Sequence, residues 1–345
     1  MSDLVQPLLR VTEVAKRFTL SGGSLLPSRR PVVQALNGVS LEVHQGETLG
    51  VVGESGCGKS TLGRCLVRLM DATSGRIEFD GQDITTLSQR RLRPVRHDLQ
   101  MVFQDPYSSL NPRRRVHDII AEPLLVHGFG GRSQVNRRVS EVLELVGLTT
   151  SQAARYPREF SGGQRQRIGL ARALALMPKL IVADEPVSAL DVSIQAQVLN
   201  LFADLQTELG LTYVFIAHDL GVVRHVSDRV AVMYLGTVVE LSDCEQLYAR
   251  PAHPYTEALL SAAPDIDDGT QESTRQRIVL AGDVPSAISM PKGCLFESRC
   301  PHRRERCRTE RPQLRQVGPG RMTACHYPLH VQPELAQATG LVTGG

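Results

Sequence analysis

Three short stretches carry residue types that could do phosphate chemistry. Gly53-Glu54-Ser55-Gly56-Cys57-Gly58-Lys59-Ser60, followed by Thr61, fits the pattern G-x-x-x-x-G-K-[ST]. Glycines let a backbone wrap an anion with successive N–H groups pointing inward, and a helix starting near Lys59 aims its positive end at the same charge. Lys59 would supply a point charge to the β- and γ-phosphates, and the Ser60 hydroxyl could ligate Mg²⁺. A chance match in a tight turn is the rival reading, and the position between an apolar strand (47–53) and a helix (about 59–70) argues against it. The second stretch, Leu180-Ile181-Val182-Ala183, is apolar and ends in Asp184-Glu185. Ligands of open α/β sheets gather at the carboxyl ends of strands, so both acids are expected to face the phosphate site. Asp184 would hold Mg²⁺, directly or through water, and Glu185 would polarise an attacking water as general base. Taken alone, this segment would read as a solvated acidic turn. In the third, Phe160-Ser161-Gly162-Gly163-Gln164, small residues open a helix expected over about 164–176. Its bare N–H groups make a second anion receptor.

The elements that must position these residues alternate between strands and helices. Strands are expected at 8–18, 32–43, 47–53, 179–186 and 211–219, with a helix over 192–209. This rhythm predicts an α/β fold with a mostly parallel sheet. An Arg-rich, largely helical section over about 108–178 reads as an insertion. After about residue 262 the composition shifts to Asp, Gly, Pro, Arg and Cys, which predicts a second, smaller domain (261–332) and then a frayed tail (333–345). There is no internal repeat, hence one nucleotide site per chain. With 41% hydrophobic and 22% charged residues the chain should bury a real core, and a formal charge of +3 is too mild to argue for nucleic acid. No apolar run reaches the ~18–20 residues of a membrane span, and Met1–Arg10 does not read as a signal peptide. A cytosolic protein is expected, with any membrane role coming through a partner.

Together the three motifs resemble the ABC (ATP-binding cassette) ATPase family, whose signature is Ser-Gly-Gly-Gln. The resemblance covers about residues 8–250, implies a P-loop core with a mostly parallel sheet, an antiparallel β subdomain and a helical insertion, and implies roles for further positions. ATP and Mg²⁺ are the implied cofactors. Gln104, after the apolar 101–103, would sense Mg²⁺ and the lytic water. Ser188-Ala189-Leu190-Asp191 would cross a dimer interface, His218 would contact the γ-phosphate, and Phe18 would stack on adenine, although a core phenylalanine explains Phe18 nearly as well. Within the family, the stretches 101–113, 156–174, 184–201 and 251–260 look most like ATPase subunits of oligopeptide, dipeptide and related (nickel, glutathione) importers. That implies a second ATPase subunit, two permeases and a solute-binding protein as partners, at the cytoplasmic face of the inner membrane. The two ATPases would form a head-to-tail dimer, with motion passed to the permeases through the surface around Gln104 to Arg115. Non-transport ABC ATPases acting on DNA or the ribosome are the rival class. The interval 61–160 lacks the coiled-coil heptads of the first, and a single cassette disfavours the second. An exporter ATPase is a further rival.

The seven cysteines are unevenly placed. Cys57 is inside the phosphate loop, where a helix N-terminus and Lys59 would favour thiolate, although a small residue that fits the turn explains it equally well. Cys294, Cys300, Cys307 and Cys325 crowd the tail at intervals of x5, x6 and x17. Disulfides are disfavoured in a reducing cytosol, so this cluster reads as a metal site. The expectation is a [4Fe–4S] cluster, with Arg299, Arg303, Arg304, Arg306 and Arg308 offsetting its charge. Structural zinc, with His302 or His326 as further ligands, and plain buried thiols are the alternatives.

Overall fold

A computed structural model describes residues 6–20, 30–262, 278–280 and 282–330. Twelve strands occur among them: β1 (Leu9–Thr19), β2 (Val32–Val43), β3 (Thr48–Val52), β4 (Ser74–Phe79), β5 (Gln82–Asp83), β6 (Leu99–Val102), β7 (Leu180–Asp184), β8 (Thr212–Ile216), β9 (Arg229–Tyr234), β10 (Thr237–Asp243), β11 (Arg315–Gly318) and β12 (Arg321–Thr323). They form two sheets. The larger has the order β11-β12-β10-β9-β3-β8-β7-β6, and the smaller is antiparallel, β2-β1-β4-β5. In the larger sheet β9, β3, β8, β7 and β6 run parallel, while β10, β12 and β11 continue it in antiparallel fashion. The sheet is thus mixed; of its five parallel strands, β3, β7 and β8 fall where the sequence pattern places strands, while β6 and β9 were not expected.

Strands β3, β7 and β8 are buried along their whole length, as short apolar runs covered on both faces should be. Alternation then sorts their side chains between two cores. Ile181, Ala183, Tyr213 and Phe215 face the helices of residues 116–127, 132–145, 162–174 and 192–209. Leu180, Val182, Val214 and Ile216 face the helix Lys59–Leu66 and the smaller sheet. The helical section expected at 108–178 packs through Val116, Ile119, Ile120 and Leu124 and through Val135, Val139 and Val142, at i, i+3, i+4 spacing.

Two boundaries differ from expectation. The helix after the phosphate loop stops at Leu66, not near residue 70. Arg68 takes a left-handed φ of 54° and buries its guanidinium, whose Nε donates to the Ile84 carbonyl at 2.8 Å. The cysteine-bearing extension also does not stand apart in the described residues. Strand β12 pairs with β10 (Glu240 opposite Thr323), and Cys294, Leu295, Phe296 and Cys307 join the same core as the main sheet. The tail expected at 333–345 lies outside the described residues.

Candidate active site

The phosphate loop, Gln104, Asp184, Glu185 and His218 converge because their strands are neighbours. In the order β3-β8-β7-β6, the phosphate loop follows β3, His218 follows β8, Asp184 and Glu185 end β7, and Gln104 follows β6. All four strands are parallel, so their carboxyl ends form one rim.

The loop itself is closely held. Gly58 caps the helix Lys59–Leu66 with φ 103°, and a Cβ there would be 2.3 Å from the Ala35 carbonyl oxygen. Only glycine satisfies both conditions. Lys59 is 4% exposed, and its ammonium donates to the carbonyls of Gly53 (2.7 Å) and Glu54 (3.2 Å). Ser55 and Gly56 are exposed at the tip, and Thr61 is half-buried. Cys57 is buried, and burial pushes its thiol up despite the lowering effect of Lys59. The expected thiolate is therefore not favoured, because desolvation outweighs the nearby charge.

The Ser60 hydroxyl donates to Asp184 Oδ1 at 2.8 Å, which joins the loop to the end of β7. Asp184 is buried, and burial pushes its carboxyl up against the lowering bond from Ser60. These two oxygens are the donors a hard cation such as Mg²⁺ takes. Glu185 turns away from the strand at φ 45°, with its N–H bonded to the Ile216 carbonyl at 2.9 Å. Its carboxylate accepts from Gln104 Nε2 at 2.9 Å and is 3.6 Å from His218 Nδ1. Gln104, Glu185 and His218 thus form one polar cluster.

The signature stretch is built as a helix cap. Ser161 Oγ accepts from the Gln164 N–H at 3.3 Å, and Gln164 Oε1 accepts from the Ser161 N–H at 3.1 Å. The helix Gly162–Leu174 packs against the segment after Glu185. A Cβ on Gly163 would be 2.4 Å from Ile194 Cγ2, and one on Gly162 would be 3.2 Å from Leu190 Cδ2. Asp191 is exposed on that segment and caps the helix Val192–Leu209, so the signature and the Asp191 loop form one surface. Phe18 is half-buried outside both cores, with the Lys16 ammonium 5.1 Å from its ring centroid. It is not a core phenylalanine.

Cys294, Cys300, Cys307 and Cys325 line one small pocket with His253, His302 and His326. Burial pushes Cys294 up to about 11 and Cys300 and Cys325 up to about 12. Among the described residues, no three His, Cys, Asp or Glu side chains are arranged to hold a metal ion. Neither the iron–sulfur site nor the zinc alternative is therefore found as an assembled ligand set.

Sequence reasoning missed two side chains on the phosphate loop. The Glu54 N–H donates to Tyr255 Oη at 2.9 Å, and its carboxylate is paired with Arg299 at 2.8 Å. They are 201 and 245 residues from Glu54 in sequence, and no local pattern signals such contacts.

Residues 36–188 match the family model of the ABC transporter, and residues 239–307 match that of the oligopeptide/dipeptide transporter C-terminal region. The chain is 53% identical to the oligopeptide transport ATP-binding protein AppF of Bacillus subtilis, over 93% of this chain and 97% of that one. It is also 53% identical to a probable peptide ABC transporter ATP-binding protein of Sinorhizobium fredii, over 94% and 90%. A dimeric ATP-binding cassette solved in a post-hydrolysis state with ADP and Pi superposes with a TM-score of 0.61 at 29% identity, over 68% of this chain and 98% of that one. The protein cbiO1 of Clostridium perfringens, part of an ABC transporter complex, gives 0.61 at 28% identity, over 70% and 91%. Likeness over nearly the whole chain, joined to the phosphate-site geometry, makes this protein an ABC ATPase, and it belongs to the ATP-binding subunits of ABC transporters that carry the oligopeptide/dipeptide C-terminal region.

Proposed function

We propose that the chain hydrolyses ATP to drive import of oligopeptides or dipeptides through a pair of membrane permeases. The observation that carries the ATP chemistry is the junction of two motifs 124 residues apart, where Ser60 bonds Asp184 and Glu185 sits beside Gln104 and His218. In this reading Gly53 to Thr61 bind the phosphates, with Lys59 as the fixed positive charge. Ser60, Asp184 and Gln104 hold Mg²⁺, which would neutralise charge developing on the phosphates. Glu185 takes the proton of the attacking water, oriented by Gln104 and His218. Phe18 supplies the face for adenine.

The signature cap, Ser161 to Gln164, would close on a nucleotide held by the phosphate loop of a second cassette, with Asp191 at the same interface. The dimeric state of a solved cassette similar to this one supports that arrangement. No described helix is long and apolar enough to cross a membrane; attachment would come through the permeases at the cytoplasmic face, with a solute-binding protein delivering the peptide. The peptide class rests on what the similar chains are said to transport. We divide the chain into a cassette (8–260, helical part about 108–178), an extension (261–332) and a tail (333–345). A [4Fe–4S] cluster in the extension would draw on the four cysteines that line one pocket, a donor set that such a cluster takes, and would require them to draw together, since no three are arranged to hold a metal as they stand.

Two measurements test the proposal. Membranes holding this subunit and its permeases should hydrolyse ATP faster when peptide-loaded binding protein is added, and Lys59→Ala should abolish the hydrolysis. Indifference to every peptide tried, with ATPase activity intact, would remove the peptide reading and leave the ATPase. Anaerobically purified protein should contain iron and absorb in the visible; colourless, iron-free folded protein would remove the cluster.

A further inference from the structure

Glu54 is the one carboxylate within the loop 53–61, and a bare negative charge there would repel the phosphates the loop must receive. Arg299 meets it with a two-point fork: Nη1 donates to Oε2 at 2.8 Å and Nη2 to Oε1 at 3.1 Å. The Arg299 side chain is 9% exposed, and Nη1 also reaches Tyr234 Oη at 3.5 Å. Its Nε is buried without a hydrogen-bond partner, a cost the fork must offset. The extension delivers this arginine by a specific route. Phe296, 1% exposed, packs its ring 5.4 Å from both Tyr234 and Tyr255, and the short turn Glu297–Arg299 follows. Tyr255 in turn accepts the Glu54 N–H, while Lys59 takes the Glu54 carbonyl. Every polar group of Glu54 is therefore held, and its charge is met from the extension.

We propose that Arg299 is a positioning residue for the phosphate loop, neutralising Glu54 and fixing the loop in the shape that accepts the triphosphate. This rests on the reading of residues 53–61 as the ATP site. An ion pair that only stapled the extension to the cassette would alter stability without altering nucleotide affinity.

The test is equilibrium binding of a non-hydrolysable ATP analogue with Mg²⁺ to the full chain, alongside thermal unfolding of each variant. Arg299→Ala should raise Kd about tenfold, equivalent to about 1.4 kcal/mol. Arg299→Lys should raise it less, because the charge stays and only the fork is lost. Combining Arg299→Ala with Glu54→Gln should bring Kd back to within about threefold of the unaltered chain, because the repelling charge is gone. In steady-state hydrolysis KM for ATP should rise while kcat changes little. Unchanged affinity in Arg299→Ala, or a loss that Glu54→Gln does not relieve, would overturn the inference. Should Arg299→Ala unfold, Arg299→Lys and the double variant still decide it. If the unaltered chain binds no nucleotide, the ATP-site reading falls first and this inference with it.

Discussion

Glu185→Gln separates the chemistry from the architecture of the site. The carboxylate accepts from Gln104 Nε2 at 2.9 Å and is 3.6 Å from His218. A glutamine has nearly the same shape, and its amide oxygen can still accept from Gln104, so the cluster should survive. The φ of 45° at this position is unaffected, because the two side chains branch alike near the backbone. What is lost is the ability to take a proton. A positioned general base is worth about 10²–10⁴-fold, which corresponds to about 2.7–5.5 kcal/mol of barrier. ATP affinity should change by less than about threefold, since Lys59, Ser60 and Asp184 are untouched. The assay pairs phosphate release at saturating Mg-ATP with equilibrium nucleotide binding and with sizing of the protein in ATP. The variant should bind ATP, turn over at least about a hundredfold more slowly, and accumulate as a dimer. Turnover within about fivefold of the unaltered protein would refute the assignment of Glu185 as base.

Three further outcomes follow from packing and burial. Gly163→Ala places a Cβ 2.4 Å from Ile194 Cγ2, so it should cost about 1–3 kcal/mol of stability and impair hydrolysis, with Ile194→Ala added to it restoring both; absence of any defect would show that the signature helix is free to move. Phe296→Ala removes a fully buried ring between Tyr234 and Tyr255 and should lower unfolding free energy by about 3–5 kcal/mol; chemical denaturation showing under about 1 kcal/mol would mean that the extension is not anchored there. Because burial pushes the Cys57 thiol above its ordinary value of 9.0, less thiolate is present at any given pH, and alkylation followed by peptide mapping should be slow at neutral pH and still climbing past pH 9; labelling as fast as free cysteine at pH 7 would contradict the burial.

Strands β3, β7 and β8 were legible because each is a short apolar run with its chemistry at its carboxyl end, whereas their parallel neighbours β6 and β9 were not read as strands. Asp184 after Leu180–Ala183 and the loop after Thr48–Val52 need no long-range knowledge to be placed on one rim. The helix Val192–Leu209 was equally readable, from its periodicity and the glycine at its end. The early stop of the helix at Leu66 was not, because it depends on Arg68 burying its guanidinium against Ile84, a tertiary contact that overrides local helix preference. The shared sheet was missed for a related reason. Strands β11 and β12 hold four and three residues, too few for alternation to stand out, and the pairing of β12 with β10 spans about eighty residues. A change of composition near residue 262 therefore looked like a change of body.

That shared sheet changes how the extension relates to the nucleotide site. The phosphate loop leaves β3, which pairs with β9, then β10, then β12, so the extension is three strands from the loop by backbone hydrogen bonds. On the same strand as the β12 pairing, Glu240 is buried, and its carboxylate accepts the N–H groups of Ala252 and His253 at 2.7 and 2.8 Å. Those two residues open the turn that leads into Tyr255, whose hydroxyl holds Glu54. The ladder, the Glu240 turn and the Arg299 fork therefore reach the loop by separate non-covalent routes. A loop fixed from three sides cannot shift without straining at least one of them. On the proposed role of Arg299 the extension is part of what shapes the ATP site: its fork on Glu54 adds to the hold that Lys59 and Gly58 give the loop from within, while Ser55 and Gly56 stay exposed at the tip.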